Sequence, residues 1–151
     1  MNAPPVRRLV AAPVDAVWKI LADGWSYSSW VVGTARIRSV EPTWPSPGSR
    51  IHHSFGTWPL LIDDHTKVLR EEPGELLELR ARGWPAGEAQ VRIELRPAGD
   101  QCEVLIAEDA VSGPGTLVPT VVRQPLIALR NRETVRRLAM LAEGQVSVTQ
   151  G

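Results

Sequence analysis

The chain has 151 residues, of which 43% are hydrophobic and 23% charged, the proportions of a folded globular protein with one sizeable core. Lys plus Arg and Asp plus Glu both number 17, so no global field draws the chain to nucleic acid or to an anionic membrane. The lone cysteine, Cys102, excludes an internal disulfide and offers no zinc framework; it reads as a small buried apolar residue in a chain suited to a reducing cytoplasm.

The pair Arg7–Arg8 precedes a short apolar stretch that Asp15 interrupts, too brief for a targeting segment. No run approaches the ~20 apolar residues of a spanning helix, so no membrane partner is expected. Residues 6–11 suit a short edge strand, although Pro4 and Pro5 stand just before it. Pro13 then opens a helix over residues 14–23, in which Val14, Val17, Trp18 and Leu21 share a face and Asp15 and Lys19 pair on another. WSYSSWVV, residues 25–32, suits a brief second helix across the mouth of a sheet.

From residue 35 to 111 the pattern changes to extended runs separated by PSPG, EEPG, WPAGE and PAGD, the punctuation of an antiparallel meander. Strands are expected over residues 35–41, 49–57, 60–71, 76–83, 89–96 and 102–111. Val91, Ile93 and Leu95 alternate with Arg92, Glu94 and Arg96, and Leu77, Leu79 and Ala81 alternate with Glu78, Arg80 and Arg82. Such a sheet has one wet face and one that must be covered.

The cover follows SGPG as a helix over residues 126–143, with Ile127, Asn131, Thr134, Val135, Leu138, Leu141 and Ala142 on one face. Pro119 and Pro125 predict a broken or kinked approach to it. Arg130, Arg132, Arg136 and Arg137 read as a solvated face rather than a nucleic-acid surface. Residues 1–144 are expected to form one domain and residues 145–151 a C-terminal tail.

This order of elements, with AAPVDAVWKILAD, WSYSSWVVG, WPLLIDDHTKVLREEPGELLELRARGWPAGEA, EDAVSGPG and RNRETVRRLAMLAE in succession, resembles the polyketide cyclase/dehydrase-like branch of the START-type SRPBCC superfamily from about Val6 to Glu143. The resemblance implies an α+β helix-grip fold: a curved antiparallel sheet of about seven strands around a long C-terminal helix, with two short helices after the first strand. It also implies a deep cavity between sheet and helix, with its mouth near the short helices and strand-connecting loops.

Alternation selects the polar residues that point into such a cavity. Ile51, His53 and Phe55 fall on one side of their strand and Arg50, His52 and Ser54 on the other, so the two adjacent histidines cannot share a metal. By the same rule Ile62 and Asp64 face inward, as do Val104, Ile106 and Glu108. His53, Asp64 and Glu108 are therefore the candidate catalytic residues, since a carboxyl or imidazole in an apolar cavity is the usual raw material of acid–base chemistry. The bland alternative is that each is hydrogen-bonded and merely orders the pocket.

The candidate ligand-binding residues are Trp30, Ile51, Phe55, Trp58, Ile62, Val91, Ile93, Ile106, Ile127 and Asn131. Trp84 also falls at an expected hairpin, while Trp18 reads as core and Trp44 as loop packing. Nucleotide-loop, zinc-peptidase and hydrolase motifs are missing, so neither a cofactor nor a metal is expected. The leading expectation is a cytoplasmic binding module for a hydrophobic or aromatic small molecule; the alternative is a cofactor-independent cyclase or dehydratase using the inward His and carboxylates.

Overall fold

Period-two patterning dictates most of the architecture. The computed structural model describes residues 3–55, 62–83 and 87–150. In chain order it contains β1 (Val6–Val10), α1 (Val14–Ala22), a 3-10 turn (Gly24–Ser26), α2 (Tyr27–Trp30), β2 (Thr34–Val40), β3 (Arg50–Phe55), β4 (Ile62–Glu72), β5 (Leu76–Gly83), β6 (Gly87–Ala98), β7 (Gln101–Ser112), a second 3-10 turn (Pro114–Leu117) and α3 (Thr120–Gln150). The strands form one antiparallel sheet in the order β1-β7-β6-β5-β4-β3-β2, which is the expected helix-grip arrangement with α3 as the grip.

Register shows why one face is buried. Val68 lies opposite Leu79, Leu79 opposite Val91, Leu77 opposite Ile93, and Ile93 opposite Ile106, so the apolar sets of successive strands share the concave face. Their intervening neighbours carry an ion-pair ladder on the convex face, where Arg92 pairs with Glu78 and Glu94, and Arg96 with Glu94. Such exposed pairs each contribute at most about 1 kcal/mol, so apolar burial and backbone hydrogen bonds carry the sheet.

The short first strand is an edge strand, as its length predicts. Val10 pairs with Cys102, both are fully buried, and burial pushes the Cys102 thiol up, in keeping with a packing role. Just beyond β1, the Ala11 amide donates to Glu143 Oε1 at 3.1 Å and ties this edge to α3. On α1, Val17, Ile20 and Leu21 are buried against the same core.

The last helix departs from expectation at both ends. It begins at Thr120 and runs without interruption through Pro125. The proline sits close to the helix start, and the carbonyl it leaves unbonded belongs to Val121, which is exposed and open to water. At the other end the helix continues to Gln150 where a tail was expected, because Val146 packs on the core and Ser147 Oγ donates to the Glu143 carbonyl at 3.1 Å.

Burial divides α3 in two. Asn131, Thr134, Val135, Leu138, Ala139 and Ala142 are buried, whereas Val121, Val122, Leu126 and Leu129 are exposed. The downstream half grips the sheet. The upstream half roofs a space.

Candidate functional site

That space is a cavity of about 500 Å³ between the concave face and the upstream half of α3. Side-chain size in the sheet explains why it stays open. Ala81 lies opposite Ala89, and Ala89 opposite Ala110, so one row across β5, β6 and β7 carries only methyl groups. The next row is Leu79, Val91 and Glu108, and the one after it Leu77, Ile93 and Ile106. Bulk grows away from the alanines until the sheet meets the helix in close packing.

Tyr27 and Trp30 of α2 close one side, and Ile127, Asn131 and Thr134 of α3, one face of successive turns, close the roof. The α2 end is held to that roof where the Val32 amide donates to Thr134 Oγ1 at 3.3 Å. Tyr27 and Trp30 meet edge to face, with ring centroids 5.2 Å apart.

Two arginines of α3 set the polarity of the mouth. Arg130 Nη2 donates to Glu108 Oε2, pairing a buried carboxylate on the cavity wall with a half-exposed guanidinium. Arg123 Nε donates to Asp109 Oδ1 at 2.7 Å, and its Nη1 donates to the Val118 carbonyl at 2.6 Å. The Arg123 hydrogen bond holds the Asp109 carboxyl below its usual range. Arg130 is thus a cavity residue rather than part of a solvated face, and Arg123 pairs with Asp109.

Behind Tyr27 lies a buried polar group. His53 Nε2 and Thr66 Oγ1 are 2.7 Å apart, and Tyr27 Oη lies 3.4 Å from the same Thr66 oxygen. The Tyr27 and His53 rings stack at 5.8 Å and 2°. Burial disfavours both charged forms: it pushes the Tyr27 phenol up to about 12 and the His53 imidazole down to about 4. Near neutral pH both are uncharged.

The structure separates the three candidate catalytic residues. Glu108 is on the cavity wall. His53 is fully buried one layer behind Tyr27 and does not line the cavity. Asp64 lies opposite His53 in the β3–β4 pair, but its carboxylate accepts from the His65 amide at 2.9 Å and lies 3.7 Å from Arg82 Nε. It lines a second recess with Ile62, Asp63, His65, Arg38 and His52 instead of the main cavity.

Of the candidate binding residues, Trp30, Val91, Ile93, Ile106, Ile127 and Asn131 line the cavity. Ile51 is fully buried in the core and Ile62 belongs to the second recess. Phe55 pairs with Ile62 in the sheet, its side chain lying outside the described residues, as do Trp58 and Trp84 altogether. Trp44 is buried and donates from Nε1 to the Leu21 carbonyl at 3.2 Å. Tyr27, Arg130 and the alanine row were not anticipated. The spacing of Tyr27 from Trp30 and of Arg130 from Ile127, one helical turn each, was the available signal.

Among the described residues no group of His, Cys, Asp and Glu is placed to hold a metal, and no helix is long and apolar enough to cross a membrane. The family described as "Polyketide cyclase / dehydrase and lipid transport" matches residues 6–143. The chain belongs to this family. No curated protein matches it in sequence. Solved structures of the same fold include protein NE0264 from Nitrosomonas europaea, 17% identical with a TM-score of 0.69 and 95% of each chain covered. The Zhui aromatase/cyclase from a Streptomyces species is 20% identical with a TM-score of 0.66, over 94% of this chain and 93% of that one. The di-domain aromatase/cyclase StfQ of the steffimycin biosynthetic pathway is 13% identical with a TM-score of 0.73, over 95% of this chain and 51% of that one. Family membership therefore supports a ligand-binding or cyclase-like SRPBCC protein.

Proposed function

We propose that the protein binds a hydrophobic or aromatic small molecule in the cavity beneath the upstream half of α3. The observation that carries this reading is the alanine row Ala81, Ala89 and Ala110, which holds open about 500 Å³ lined mainly by apolar side chains. That volume lies within the range of roughly 300–1,000 Å³ typical of small-molecule sites. Glu108, Arg130 and Asn131 supply the few polar contacts that orient a bound molecule.

A cyclase or dehydratase is the second reading, favoured by the chain of contacts from cavity-lining Tyr27 through Thr66 to His53. The proton affinities argue against acid–base work there. Burial makes the phenol a poor proton donor and the imidazole a poor proton acceptor, whereas a phenol that stays protonated is a durable hydrogen-bond donor. Binding thus ranks first, and any catalysis rests on holding a flexible substrate in a reactive shape.

The neutral fluorescent probe N-phenyl-1-naphthylamine tests the binding reading. Saturable binding to the wild type, lost in Val91→Trp while the urea midpoint changes little, is the expected result. Absence of saturable binding, or identical binding by the filled variant, overturns it.

A further inference from the structure

The other buried tryptophan among the described residues is satisfied: Trp44 Nε1 donates to the Leu21 carbonyl at 3.2 Å. Trp30 is different. It is 3% exposed and lines the cavity, and its Nε1 is buried with no hydrogen-bond partner among the described residues. An indole nitrogen can only donate, so the missing group is an acceptor. Buried donors are rarely left without one, and each exception calls for a physical reason.

The neighbouring side chains do not supply that acceptor. Tyr27 Oη bonds to Thr66 and the Glu108 carboxylate to Arg130, and neither is in hydrogen-bond geometry with Trp30 Nε1. The ring itself is fixed by its edge-to-face contact with Tyr27 and by the tether of Val32 to Thr134. Thr34 Oγ1, another buried polar atom with no hydrogen-bond partner among the described residues, belongs to a residue that does not line the cavity. Trp30 therefore combines an unanswered donor with a place on the wall.

We propose that the Trp30 indole N–H is a specificity-determining donor that holds an oxygen acceptor of the bound molecule, so that the site selects apolar molecules bearing a carbonyl or ether oxygen over their hydrocarbon counterparts. This deepens the binding reading and rests on it. A site built to donate a hydrogen bond discriminates against the analogue that leaves the donor unpaired, because that analogue still removes the water which would otherwise answer it.

The test uses a matched pair, 2-acetylnaphthalene and 2-ethylnaphthalene, of nearly equal size and differing in one oxygen. Equilibrium dialysis with the wild type is expected to give the ketone at least about tenfold tighter binding, and Trp30→Phe to remove that preference while the hydrocarbon's affinity moves less than about threefold. Retained hydrocarbon binding by the variant shows that its cavity is intact. Should Trp30→Phe fail to fold, the indole N–H resonances of ¹⁵N-labelled wild type decide the matter. A Trp30 indole proton that shifts downfield with the ketone and not with the hydrocarbon supports the proposal. Equal affinities in the wild type, or an indole signal unmoved by the ketone, overturn it and leave the binding reading standing. If neither naphthalene binds the wild type at saturating concentration, the binding reading falls and this inference with it.

Discussion

His53 provides the sharpest handle on the buried polar layer behind the cavity. Its side chain is fully buried beside Tyr27 and Thr66, and burial lowers its pKa from 6.5 to about 4. The unfolded chain therefore binds more protons than the folded one between these values. The stability this group contributes is present above about pH 6.5 and is lost as pH falls toward 4. Integrated over the window, the loss reaches about 2 kcal/mol by pH 5 and about 3 kcal/mol by pH 4. Other groups titrate in acid too, since a Ser54 hydrogen bond lowers Asp63 and an Arg123 hydrogen bond lowers Asp109. They are common to the wild type and to His53→Gln, which keeps a hydrogen-bonding group for Thr66 and cannot charge. Urea unfolding followed by tryptophan fluorescence at intervals from pH 7 to pH 4 measures the difference directly. With m near 2 kcal/mol/M, the wild-type midpoint should fall about 1–1.5 M further than that of the variant. Parallel curves would refute the claim that His53 is held neutral by burial.

The Glu108–Arg130 pair calls for a double-mutant cycle. Arg130→Met leaves a mostly buried carboxylate unpaired and should cost about 1–2 kcal/mol, below the full buried-pair value because the guanidinium is half exposed. Adding Glu108→Gln should recover most of that loss in urea midpoints, and additivity of the two changes would exclude coupling. At Gly87, where φ is +106°, an added Cβ would lie 2.1 Å from the Ser112 carbonyl oxygen. Gly87→Ala should therefore destabilise by more than about 2 kcal/mol and disturb the start of β6 beside the alanine row, while a denaturation midpoint like that of the wild type would show that the β6–β7 pairing yields easily.

How much of this was legible in the sequence depends on which physical signal each feature leaves. Alternation within β5, β6 and β7 fixed both the sheet and the inward direction of Val91, Ile93, Ile106 and Glu108, because a pleated strand has a period of two whatever surrounds it. Alternation gives direction, however, and not depth. His53 points inward as expected, but Tyr27 stands between it and the cavity, and the placement of a four-residue helix is set by tertiary packing. Asp64 escaped for a local reason. Its short carboxylate accepts from the next residue's amide, which turns it toward His65 and Arg82. Arg130 was read as solvated because a helical wheel reports angle alone; it lies on the seam between faces, where a long side chain reaches back to Glu108. Alternation put Ala81 with the inward leucines, but the alanine row appeared only when register placed Ala89 and Ala110 beside it.

The division of α3 separates the cavity from the stability of the fold. Ile127 and Leu138 both face the sheet, the first over the alanine-bounded cavity and the second fully buried in close packing. Eleven residues apart on one helix, they are about 16 Å apart along its axis, beyond the distance at which substitutions usually couple. Changes in the roof can therefore alter what the cavity admits without loosening the grip downstream. The exposed apolar residues Val121, Val122, Leu126 and Leu129 fit the same logic: this half of the helix contributes little to burial in the core, so its sequence is free to serve the space beneath it.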